Sequence, residues 1–140
     1  MITLKQLIKE EIMAAKLDAA IAQFIQIAKK KWKLNDTRLT VNLCEKVSRE
    51  FAILAIEHGF EVEQARLEWG YLGEDKVALG HEAVCIDGKI YDFTAAQFFG
   101  AGTKIPEIFN SIEEWAEACD ETWDGKYDFP NYYTSSYDDL

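Results

Sequence analysis

The chain has 140 residues, 25 acidic against 15 basic side chains, a formal charge of -10 and 49% hydrophobic composition, which suits one domain over residues 1–140 with one core. Nucleic-acid affinity rests largely on Lys and Arg neutralising phosphates, so this balance argues against a nucleic-acid partner and, by the same repulsion, against an anionic membrane surface. No stretch reaches the ~20 apolar residues of a membrane helix.

The region 1–34 reads as helical. Thr3 with Gln6 has the form of a capping box, and Leu4, Leu7, Ile8 and Ile12 open an apolar stripe at helical spacing. Leu17, Ile21, Phe24, Ile25, Ala28 and Trp32 continue it on a slightly rotated face. Lys29, Lys30, Lys31 and Lys33 fall where cations complement a helix C-terminus, a simpler reading of that cluster than a docking patch. Met1–Met13 carries charges every few residues and lacks the apolar run of a secretory signal, so a cytoplasmic setting is expected, with signal-independent export left open.

A second helix is predicted from about Leu43 to His58. Leu43, Val47, Phe51, Leu54 and Ala55 form its buried stripe, with Glu45, Lys46, Arg49 and Glu50 outward. Thr40 or Asn42 can cap its start, and Gly59 suits the left-handed position past its end. From Phe60 the period becomes two, predicting a strand through Val62, Leu67, Trp69 and Tyr71 with a bulge near Gln64–Ala65. Val77–Ile86 and Lys89–Phe93 flank Asp87–Gly88, a strong hairpin signal. Gly100–Pro106 reads as loop, and Ser111 with Glu114 opens a short helix with Ile112, Trp115, Ala116 and Cys119 inward. Residues 107–140 thus hold a helix and an acidic, aromatic arm. From Asp120 that arm mixes six acids with Trp123, Tyr127, Phe129, Tyr132, Tyr133 and Tyr137. Packing onto the body is the first reading of it, and binding a basic protein through Asp120–Leu140 the second. The fold class is therefore α+β: N-terminal helices, a Cys-bearing helix on a small antiparallel sheet, and a C-terminal helix with its arm.

The hairpin places chemistry. With Asp87–Gly88 central, Ile86 pairs with Lys89, Cys85 with Ile90, Val84 with Tyr91 and Ala83 with Asp92, so His81, Ala83 and Cys85 share a face with Ile90 and Asp92. His81 and Asp92 are then diagonal neighbours at about 7–8 Å between backbones, within reach of these side chains. A carboxylate there fixes the imidazole's tautomer and stabilises its charged form. Cys44, at the start of the second helix, has unpaired N–H groups and the positive dipole end to favour a thiolate. Cys85 lies about 13 Å from His81 at the strand rise, and Cys119 falls late in its helix, where the dipole opposes a thiolate. Three cysteines at wide spacing fit neither a disulfide framework nor a zinc site. The chain also lacks C-x-x-C, H-E-x-x-H, an EF-hand loop and a P-loop, so no metal and no cofactor are expected.

Three segments carry a family resemblance: Asn42-Leu43-Cys44-Glu45-Lys46-Val47-Ser48, Gly80-His81-Glu82-Ala83-Val84, and Asp87-Gly88-Lys89-Ile90-Tyr91-Asp92-Phe93-Thr94-Ala95-Ala96-Gln97-Phe98. Over about residues 40–98 the chain resembles the papain-like/transglutaminase-like superfamily, above all its small bacterial and phage members with the order Cys, His, Asp. The resemblance implies a catalytic-type core with Cys44 as nucleophile, His81 as general base and acid, and Asp92 as its orienter. It implies action on a protein or peptide substrate bearing an amide: peptide hydrolysis, glutamine deamidation, or transfer to an amine, with deamidation favoured by likeness to small deamidase-type toxins. Papain-like proteases place an oxyanion-donating Gln six residues before the Cys, where this chain has Arg38; Asn42, the Cys44 backbone N–H or Gln97 are the candidate substitutes. Ala83 stands two after the His, where transglutaminase-like members often carry a bulky residue. Two other classes fit the same residues: a non-catalytic acidic binding module of inhibitor or immunity type on this scaffold, and a phage structural protein with a degenerate site.

Overall fold

The computed structural model describes residues 1–37, 43–137 and 140. Helix α1 spans Leu4–Lys31 and α2 Cys44–Glu57; strands β1 (Glu63–Gly70), β2 (Val77–Ile86) and β3 (Lys89–Asp92) follow. After a single turn, α3 (Ala96–Phe99), come β4 (Glu107–Phe109), α4 (Ile112–Glu121) and β5 (Asn131–Ser135). The strands form one antiparallel sheet in the order β4-β3-β2-β1-β5. The class is α+β.

Local chemistry sets these elements. Thr3 and Gln6 form the reciprocal capping box that starts α1. Gly59, at φ +91°, ends α2 in a conformation that L side chains resist. Asp87 and Gly88 both take positive φ, 52° and 78°, the signature of the two-residue turn whose twist matches its strands. The register Val84–Tyr91, Cys85–Ile90 and Ile86–Lys89 is the expected one. Ala65, Leu67 and Trp69 alternate inward along β1.

Helices cover both faces of the sheet. On one, α1 and α2 meet Val84, Ile86, Tyr91 and Phe93, with Phe24, Phe51 and Phe93 in mutual ring contact at 4.6–5.3 Å between centroids. On the other, Trp115, Ala116 and Cys119 of α4 cover Ala65, Leu67, Trp69, Ala83, Cys85 and Ile90. Residues His81–Ile86 of β2 are consequently buried on both sides.

Three expectations need correction, and one lies outside the described residues. Leu4, Leu7, Ile8 and Ile12 are exposed (72, 42, 47 and 51%), because α1 is longer than the body it packs on and its buried residues begin at Ala20. The β1 irregularity lies at Trp69–Gly70 and not at Gln64–Ala65, whose pairing with β2 is regular. Leu43 caps α2 without a side-chain bond; Thr40 and Asn42 lie outside the described residues. Arg49 and Glu50 are half-buried, Glu50 pairing with Lys31. The arm packs on the body: β5 pairs with β1 from Gln64 to Glu68, and Tyr137 packs against the α1–α2 core.

Candidate active site

Two buried side chains anchor the site. His81 Nε2 lies 2.6 Å from Asp92 Oδ2, both residues fully buried. The remaining capacity of Asp92 is filled by donors. The Trp115 indole N–H reaches Oδ2 at 3.0 Å, and the Thr94 backbone N–H reaches Oδ1 at 3.0 Å with its hydroxyl at 3.4 Å. Donors on these sides hold the carboxylate in place, and removal of water strengthens its hold on the imidazole. Phe98 and Trp115 pack on the His81 ring at 4.7 and 5.6 Å between centroids. Burial by itself would depress the His81 pKa; the charge of Asp92, their hydrogen bond and the Cys44 side chain override it, raising it to about 10.

Cys44 reaches this pair by an unexpected route. His81 faces the α4 side of the sheet, whereas α2 packs on the opposite face, so the helix does not lie over the histidine. β3 supplies the opening: its pairing with β2 ends at Val84–Tyr91, leaving the β2 edge before Val84 uncovered by that strand. The first turn of α2 fills the gap. The Ser48 hydroxyl, one turn after Cys44, donates to the Glu82 carbonyl at 3.2 Å, and the Cys44 side chain lies close enough to the His81 ring to raise its pKa. Asp92 occupies Nε2, so Nδ1 is the nitrogen left for sulfur. Cys44 is a free thiol and half-exposed, in contact with solvent while His81 and Asp92 are not. Burial pushes the Cys85 and Cys119 thiols up, and both are free and buried.

Gln97 lies on the same nitrogen. Its Nε2 is 3.1 Å from His81 Nδ1 and donates to the Thr94 carbonyl at 3.2 Å. The Thr94 carbonyl can only accept, which fixes the amide with its NH2 toward the ring. Two proton arrangements follow. A neutral ring gives Nε2–H to Asp92 and accepts from Gln97 at Nδ1. A charged ring donates Nδ1–H instead, to the Cys44 sulfur, and the Gln97 N–H is released.

The sequence placed Cys44, His81, Asp92 and Gln97 in candidate roles, and the fold brings these four together. Asn42 lies outside the described residues. Thr94 and Trp115 were missed as partners of Asp92; an inward-facing Trp in an apolar stripe, whose N–H needs an acceptor, was the available signal for the second. His58 is apart from the site, its Nδ1 donating to the Leu54 carbonyl at 2.9 Å as a helix-end cap. Across the sheet, buried Glu82 meets Gln64 and Arg66 (Nη1 at 3.1 Å), and burial raises its pKa against the opposing pull of those partners. Among the described residues no three His, Cys, Asp or Glu side chains are grouped to hold a metal ion, and no helix is long and apolar enough to cross a membrane. A cavity of about 660 Å³ lies between the middle of α1 and the β2–β3 turn and is lined by none of Cys44, His81 or Asp92.

Comparison with protein-family models, curated sequences and solved structures finds no match for this chain.

Proposed function

We propose that the chain is a cysteine-dependent amide hydrolase or acyl transferase on a papain-like core, with deamidation of glutamine side chains as the favoured reaction. The observation that carries this reading is the buried His81–Asp92 pair with the half-exposed Cys44 beside it. A solvent-accessible sulfur backed by a dry, carboxylate-held imidazole is what nucleophilic acyl chemistry requires. With the ring in its charged form the proton of the pair resides on Nδ1, and the Cys44 sulfur attacks the carboxamide carbon as thiolate, placing a negative charge on oxygen. N–H groups of the α2 first turn, whose N-cap Leu43 offers no side-chain acceptor, are the donors for that oxyanion. The Gln97 N–H joins them when Nδ1 becomes protonated. Collapse breaks the C–N bond, the leaving ammonia takes the Nδ1 proton, and a thioester forms. Water, giving a proton back to Nδ1, attacks the thioester and releases a carboxylate and the Cys44 thiol.

The preference for deamidation rests on family likeness. Ammonia release from glutamine peptides, with hydroxylamine trapping of the thioester, tests it; Cys44→Ala and His81→Ala should each abolish both signals. Ammonia release that survives Cys44→Ala would end this reading. The rival binding-module reading draws on Phe129, Tyr132 and Tyr133, exposed on and beside the edge strand β5 (54, 39 and 41%). A binder tolerates Cys44→Ala and loses its partner when the β5 arm is removed.

A further inference from the structure

We propose that the basic end of α1 forms a substrate trough beside Cys44 that selects acidic peptide segments; this rests on the hydrolase reading above. Two cavities, of about 460 and 450 Å³, share Lys29, Trp32 and Lys33 as lining. The first is walled by Thr103 and Ile105, on the loop that follows α3 and Gln97. The second ends at Leu43, the residue before the proposed nucleophile, with Lys30 and Lys31 on its rim. The trough is thus bracketed by the two chain segments that deliver Cys44 and Gln97. Leu43, which lines it, is the chain neighbour of Cys44.

Its chemistry contrasts with the rest of the molecule. Four of the 15 basic residues fall within Lys29–Lys33 on a chain of charge -10. Complementing the helix dipole accounts for lysines at this position, and Lys31 is held by Glu50 and sits over the Trp32 ring at 5.5 Å. Neither explains a concave surface with half-buried Trp32 in it and further lysines around the rim. Asp36 is the acid nearest in sequence after the cluster. Interactions between exposed charges fall off over about 8 Å at physiological salt, so a ligand in the trough responds to these lysines more than to the distant net charge. Carboxylates on the rim with an apolar residue against Trp32 describe an acidic peptide better than a nucleic acid, whose bases and uniform phosphates would meet the general repulsion of the surface.

The test uses full-length Cys44→Ala protein and fluorescein-labelled peptides with a central Gln flanked either by Asp and Glu or by Lys, read by fluorescence anisotropy. The acidic peptide should bind at least about tenfold more tightly than the basic one and lose about tenfold on Lys29→Glu/Lys33→Glu. A control with the same charge change, Lys5→Glu/Lys16→Glu on the outer part of α1, should leave binding intact. The proposal is overturned if both double variants weaken binding equally, if the basic peptide binds as well, or if a single-stranded oligonucleotide binds with the same lysine dependence while the acidic peptide does not. Loss of Cys44 activation in the unmodified protein would refute the hydrolase reading, whereas loss of peptide selectivity alone refutes the trough.

Discussion

Asp92→Asn isolates the charge that organises the site. The side chain keeps its size, but every neighbour of the carboxylate is a donor: His81 Nε2–H, the Trp115 indole, and the Thr94 N–H and hydroxyl. The new NH2 must therefore face donors on one side. The only relief is to turn His81 into the tautomer with Nδ1–H, so that Nε2 accepts from Asn; Trp115 then loses its acceptor, and Nδ1 can no longer take a proton from Cys44. Breaking one partner out of a buried ion pair costs about 3–5 kcal/mol. That is a large share of the roughly 5–15 kcal/mol that holds a domain together, and it lowers a urea midpoint by roughly 2 M at an ordinary denaturant slope. Under conditions where the variant is still folded, turnover should fall about 10⁴-fold, the scale expected when a catalytic imidazole is fixed in the wrong tautomer. Urea denaturation followed by tryptophan fluorescence, with ammonia release on the folded protein, measures both. A variant within 1 kcal/mol of wild type that keeps its activity would refute the claim that this carboxylate orients His81.

Trp115→Phe keeps a ring in the core but removes the indole N–H from Asp92, so it should cost about 1.5–3 kcal/mol by denaturation; no loss would show that hydrogen bond to be dispensable. Glu82→Gln should be within about 1 kcal/mol of wild type or more stable, since burial already raises the Glu82 pKa beyond what Gln64 and Arg66 offset; a loss above about 3 kcal/mol would show that the charge is needed. Folding should also depend on pH through His81. The folded pKa is raised from 6.5 to about 10, so its contribution is complete below about 6.5 and is lost as pH climbs toward 10. Between pH 7 and 9 wild type should therefore lose stability relative to His81→Gln, at no more than about 1.4 kcal/mol per pH unit; parallel profiles would contradict the charged pair.

Much of this was legible in the residues. Asp87–Gly88 fixed the hairpin because its turn type requires positive φ at both positions, and the period-two face then put His81 within reach of Asp92. The missed elements gave no periodic signal. β4 has three residues, and β5 leaves four of its five positions exposed, so neither shows the alternation that marks a half-buried strand. The side of the sheet taken by α2 was equally hidden. Sequence spacing put Cys44 at a helix start, but the early end of β3, which lets that helix reach His81 from the opposite face, is a tertiary fact. The stripe of Leu4, Ile8 and Ile12 misled because apolar spacing marks a helix face without saying that anything covers it.

The central claim is that Cys44 is held ready by His81. Its direct measurement is the rate of iodoacetamide alkylation at each cysteine, resolved by peptide mass, from pH 6 to 9 in wild type and His81→Ala. An ordinary thiol, with a pKa near ~8.5, reacts about 100-fold more slowly at pH 6.5 than at its plateau. Cys44 should react faster in wild type than in His81→Ala at pH 6.5, while buried Cys85 and Cys119 stay slow in both. A Cys44 rate that is indifferent to His81 would contradict the claim.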